Sequence, residues 1–145
     1  MSGVTPRFTV DAPITYTVKS DQAVTGGQLL EVVSGGVVQA ASAGSATVVG
    51  VATKNARGTY NPYGTTGEGD FLMDASGVGN QVTAERGYFK MVFAANTTVG
   101  AKLKAAANGQ VTPWVTGTDG AEKIVGECAE AGGVTAAGTG LARIY

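Results

Sequence analysis

Two close-set pairs of carboxylates, Glu68 with Asp70 and Glu127 with Glu130, are the groups with which this sequence could run acid–base chemistry. Such a pair works only when burial or a fixed neighbouring charge pushes the two acids apart in strength. Eleven acidic residues spread over 145 positions bring some that close by composition alone, so both pairs read as solvated surface. Residues 67–70, GEGD, resemble a calcium turn faintly, but two carboxylates fall short of the roughly six to eight oxygen ligands calcium takes. Histidine is absent and cysteine occurs once, at Cys128. That excludes disulfide frameworks, Cys/His zinc sites and every nucleophile that relies on imidazole. Cys128 lies in an apolar strand pattern and is expected as a buried structural thiol. No phosphate-binding or dinucleotide-binding glycine motif occurs, and the sequon Asn96-Thr97-Thr98 reads as a loop. The expectation is a non-enzymatic chain with no catalytic residue, metal or cofactor.

The same composition narrows the partners. Net charge is −1 and the ten Lys and Arg are scattered singly, without the basic stripe of a nucleic-acid binder. The nearest approach to an aromatic–basic platform is Tyr88, Phe89 and Lys90, but alternation sends Phe89 and Met91 to a core face. No apolar run nears the roughly 18 residues that cross a bilayer, and the start lacks a charged region followed by an apolar one. A soluble product of the cytoplasm is expected, with no nucleic acid, membrane or small-molecule substrate.

Any chemistry must therefore come from surfaces, and the elements that build them are β-strands. Twenty-three glycines rule against long helices, since each costs about 1 kcal/mol in a helix interior relative to alanine. Residues 14–19, ITYTVK, alternate Ile14, Tyr16 and Val18 against Thr15, Thr17 and Lys19, the pattern of a half-buried strand. Residues 27–52 read as strand, glycine turn, strand, small-residue connection and closing strand. Residues 100–128 repeat this punctuation. At an offset of 73, Gly100 falls on Gly27, Leu103 on Leu30, Gly109 on Gly36 and Val111 on Val38. Phe89 falls on Tyr16 and Met91 on Val18. Three extra residues then bring Val125-Gly126 onto Val49-Gly50. The ends are aligned as well: 82–84 and 134–136 are both VTA, preceding GYFKM and GLARI. Lys102 to Ala107 has local helix propensity, but its counterpart is strand-like and Asn108-Gly109 is a hairpin signal, so a strand is expected.

The fold expected is all-β, a small β-barrel or sandwich built from two pseudo-repeated halves, about 14–93 and 87–145, with little helix. Residues 1–13 read as a flexible arm before a single β domain, 14–145. The first half carries an insertion, about 55–79, with no equivalent in the second. Tyr60, Pro62 and Tyr63, with Phe71 in an apolar island, give it contact surface of low entropy cost. A partner- or subunit-contact loop and plain irregular structure both fit.

The segments VTGGQLLEVVSGGVVQAA, VVGVA, VTAERGYFKMVF, TTVGAKLKAAANGQV and IVGECAEAGGVT carry a resemblance. Their pattern of glycine-led hairpins and V-G-x-A strands resembles the head decoration, or cement, proteins of tailed bacteriophages. The resemblance implies a β-tulip-like virion protein on the outer surface of the capsid, made in the host bacterial cytoplasm. It implies a homotrimer that binds the major capsid protein and stabilises the expanded head. It also implies that residues 1–10 add a strand to the capsid protein, with Val4, Arg7, Phe8 and Val10 as contacts. The long insertion departs from the pattern. Another virion module (head-fibre base, tail tube or baseplate) is the alternative, and a small ligand-binding barrel a further one.

Overall fold

A computed structural model describes residues 13–58 and 79–145. The strands are β1 (Ile14–Thr17), β2 (Ala23–Val24), β3 (Leu29–Val33), β4 (Val37–Ala40), β5 (Val48–Ala52), β6 (Ala56–Arg57) and β7 (Gln81–Glu85). They continue as β8 (Gly87–Val92), β9 (Lys102–Ala105), β10 (Val111–Pro113), β11 (Gly126–Cys128) and β12 (Thr139–Ile144). Helix is confined to two single 3-10 turns, Ala107–Gly109 and Ala121–Lys123, among the described residues. The all-β expectation holds, in its sandwich form.

Two five-stranded sheets share one topology. The first runs β1-β7-β5-β3-β4 and the second β8-β12-β11-β9-β10 in the same sense. Each curls until its edge strands meet at one parallel bridge, Val18 with Val38 and Phe93 with Val111, short of a closed barrel. A two-stranded ribbon, β2 with β6, flanks the first sheet, and the single bridge Thr97–Val134 stands in its place on the second. The equivalence extends to single hydrogen bonds. Gly27 N–H donates to Ala52 O at 2.8 Å, and Gly100 N–H to Cys128 O at 2.8 Å. Lys19 N–H donates to Val38 O, and Ala94 N–H to Val111 O, each at 2.8 Å.

Main-chain pairing corrects two alignments made on sequence similarity. Val18 N–H donates to Asn80 O and Phe93 N–H to Gly138 O, so Phe93, not Met91, is the counterpart of Val18. The slip is two residues, which leaves each side chain on its expected face. The matched VTA tripeptides are not equivalent. Val82 lies in β7, opposite Tyr16, whereas Val134 bridges Thr97 as Ala56 pairs with Val24. Likewise 140–144 is not a copy of 87–91 but its antiparallel neighbour, with Gly140 opposite Met91 and Ile144 opposite Gly87. Short Val/Thr/Ala strings recur by composition, and only the ladder decides register. β8 therefore opens the second unit rather than closing the first.

Each unit has its own small core. In the first, Val18, Val24, Leu30, Val38, Ala52, Ala56, Val82 and Ala84 cluster, with Tyr16, Val32 and Val49 packed partly buried against them. In the second, the counterparts Phe93, Leu103, Val111, Cys128, Val134 and Ala142 cluster with Met91, Ala105, Val125 and Ile144. Cys128 is buried and free, as expected. The second cluster also takes Leu29, Ala41 and Val51 from the first unit, each fully buried. Leu29 and Leu30 are neighbours on β3, so pleating sends Leu30 into its own core and Leu29 into the next. Burying a leucine is worth about 1.5–3 kcal/mol, and Leu29 contributes that to the joint between units.

Candidate functional site

The joint is sealed by the hairpin linking β9 to β10. Asn108 and Gly109 both have positive φ, at 60° and 69°, as an Asn-Gly hairpin turn requires. Gly109 N–H donates to Ala41 O at 2.9 Å, Gly44 N–H to Ala105 O at 2.9 Å, and Gln28 Nε2 to Asn108 O at 3.0 Å. A Cβ on Gly109 would lie 2.7 Å from Gln28 Cβ and 2.8 Å from Leu29 O, so the approach admits only glycine. The counterpart turn in the first unit, residues 34–36, is exposed, and Gly36 at φ 75° has nothing within 4 Å of a built Cβ.

The outer face of the second unit is the counterpart of the face that Leu29, Ala41 and Val51 bury. Lys102, Trp114 and Glu127 take their places. Lys102 Nζ donates to Tyr145 Oη at 3.0 Å, and Tyr145 Oη donates to Glu127 Oε1 at 2.7 Å. Lys102 and Arg143 stand 5.4 and 5.7 Å from the Tyr145 ring centroid, within cation–π range. The hydrogen bond to Tyr145 raises the Lys102 pKa above its ordinary 10.5. Trp114 Nε1 donates to Gly120 O at 2.9 Å, which fixes its ring, and Val115 beside it is 48% exposed. Asp119 accepts from Lys104 Nζ at 2.7 Å and from Val115 N–H at 2.8 Å. The lysine first, then the backbone bond, hold its carboxyl below the usual carboxylate range.

The corresponding polar anchor of the first unit is Glu31. It accepts from Gln39 Nε2 at 2.7 Å and from Ser42 Oγ at 2.9 Å, and stays buried. Burial pushes its carboxyl up, but bonds from Gln39, Ser45 and Ser42 outweigh that and leave its pKa lowered. Glu31 and Lys104 occupy the same place in the two units, and each pins the loop that follows its hairpin.

The polar groups weighed in the sequence are engaged in separate contacts where the structure describes them. Glu127 is engaged by Tyr145, while Glu130 Oε1 accepts from Leu141 N–H at 2.8 Å, so the two serve separate contacts. Asn96 Oδ1 accepts from Ala136 N–H, and Thr97 is buried. No group of three or more potential metal ligands occurs among the described residues. A groove of about 370 Å³ beside the joint is lined largely by Thr25, Gly26, Gly27 and residues 108–110, with Lys90 and no aromatic side chain. It does not resemble the aromatic-lined pocket of a sugar-binding barrel. Val4, Arg7, Phe8 and Val10 of the arm, and Tyr60, Pro62, Tyr63 and Phe71 of the insertion, lie outside the described residues, as do Glu68 and Asp70. The sequence reading missed Lys102, Trp114 and Tyr145, and weighed Glu127 only as the partner of Glu130. Its own offsets carried the signal, because they set Lys102 against Leu29 and Glu127 against Val51.

No family model matches the chain, and no curated protein matches it in sequence. Among solved structures the fold is similar to the crystal structure of the head fiber gp8.5 N base of bacteriophage phi29. The TM-score is 0.59 at 16% identity, over 92% of this chain and 95% of that one. A likeness this broad covers both units, and at this identity it speaks to fold.

Proposed function

We propose that this chain is a non-enzymatic structural protein of a phage virion, seated on the outer surface of the head through the major capsid protein. The observation that carries the reading is the shared architecture, across nearly the whole of both chains, with the base domain of a phage head fibre. A fastening role draws on what the second unit offers: a polar and aromatic face held by the bonds of Lys102 and Glu127 to Tyr145 and of Trp114 to Gly120. Many identical weak contacts on a symmetric shell add up by avidity, so such a protein needs no single tight site. As a cement protein it would be a homotrimer that reinforces the expanded head. The solved neighbour favours a second form of the same reading, the base on which a head fibre stands.

The test is co-sedimentation of the purified chain with expanded heads built from its cognate major capsid protein. Binding is expected, and the loss of residues 1–10 is expected to abolish it while circular dichroism and melting stay nearly unchanged. A chain that leaves expanded heads bare would overturn the reading. Head survival on heating separates the two forms: cement raises the temperature at which heads burst, whereas a fibre base leaves it unchanged.

A further inference from the structure

The two units treat the open end of their cores differently. Along β8 and the residue after it, Phe89 is half-buried, Met91 is 2% exposed and Phe93 fully buried. Their counterparts Ile14, Tyr16 and Val18 are 54% exposed, half-buried and 1% exposed. In the second unit that end is plugged by Leu29, Ala41 and Val51 of the first. In the first unit nothing among the described residues plugs it, and Ile14, Tyr16, Val32 and Val49 form a partly open apolar mouth. The free hairpin turn 34–36 stands beside it as the docked turn 107–109 stands beside the plugged one.

We infer that this mouth and turn receive the outer face of the second unit of another copy of the chain, repeating the internal joint head to tail. The inference rests on the virion reading only for its purpose; the surfaces are read from the joint itself. What would enter is the face carrying Trp114, Lys102, Glu127 and Tyr145, the counterpart of the face that seals the joint. Its aromatic members supply the anchors: Trp114 replaces Ala41, and Tyr145 is 43% exposed. Lys102 and Glu127 replace Leu29 and Val51, so the contact is more polar than the joint and can form and dissolve between folded chains. A head-to-tail contact uses two different patches, so it closes into a ring wherever the rotation per copy allows.

Sedimentation velocity of the full chain over a concentration series tests this without any capsid. Self-association is expected, and Ile14→Asp or Tyr145→Asp, both at exposed positions, should each weaken it at least about tenfold. Lys102→Leu with Glu127→Val, which restores the apolar pattern of the joint, should tighten it by a similar factor. Variants whose circular dichroism matches the parent keep the comparison clean. A chain that stays monomeric, or that associates equally well in all three variants, would overturn the inference. So would a chain that associates only after residues 1–12 are removed, because its own arm would then be the occupant. A monomer that still binds heads refutes head-to-tail docking and leaves the virion reading standing.

Discussion

The two units are one backbone written in two surface languages. At the position of β3 that faces the joint the first unit has Leu29, and at its counterpart the second has Lys102. Val51 is answered by Glu127, and buried Glu31 by Lys104. The ladders are the same, down to paired 2.8 Å bonds at Gly27 and Gly100. What differs is whether a face meets protein or water. The comparison teaches that the fold is held by glycine turns and alternation, which both copies keep, while neighbour choice is held by a few face positions.

The sharpest way to break the comparison is to cut the same position twice. Leu29→Ala should cost about 3 kcal/mol, because it empties a packed site shared by both units. Lys102→Ala, at the matching position, should leave the urea midpoint unchanged. Equal losses at the two positions would mean that the joint is not where the units are fastened. A smaller contrast lies in the turns. Gly109→Ala should cost about 2–3 kcal/mol, since strain at positive φ adds to a collision with Leu29 O. Gly36→Ala, strained but in open space, should cost about 1 kcal/mol. Thermal melts of the pair would show the difference as two well-separated shifts.

The smallest effect concerns acid. Glu31 and Asp119 both have folded pKa values lowered from 4.5 and 3.8. The unfolded chain therefore binds these protons first as pH falls. Their stabilisation is complete above those ordinary values and is lost as pH drops through the lower, folded ones. Urea midpoints should hold steady down to about pH 5 and fall below about pH 4. Glu31→Gln and Asp119→Asn should each flatten part of that fall. A midpoint independent of pH between 5 and 3 would contradict both assignments.

Much of the architecture was legible in the residues. The offset of 73 found β3, β4, β9 and β10, and the Asn108-Gly109 turn outweighed the helix propensity of 102–107. Alternation found the core face of β1. Register at the unit ends was not legible, because VTA and glycine recur by composition while hydrogen-bond pairing is a property of the folded ladder. The candidate contact face was hidden for a different reason. Sequence comparison rewards what two copies share, and this face is made of what they do not. Arm and insertion sit outside the duplicated pattern altogether. Asn80 follows Ala56 by 24 positions where Gly138 follows Val134 by four, and residues 59–78 equal that difference in number.

The first unit's core ends at Ala84, and no residue of the second unit belongs to it. The second unit's core cannot close without Leu29, Ala41 and Val51. Translation runs in the same direction. A nascent chain released past Arg86 has every strand of the first unit available, with its joint face ready before β8 emerges. The later unit then folds onto a surface already in place, so its open core end is covered as it forms. Swapping the order of the two units in the gene would keep every strand and remove that template from the start of synthesis.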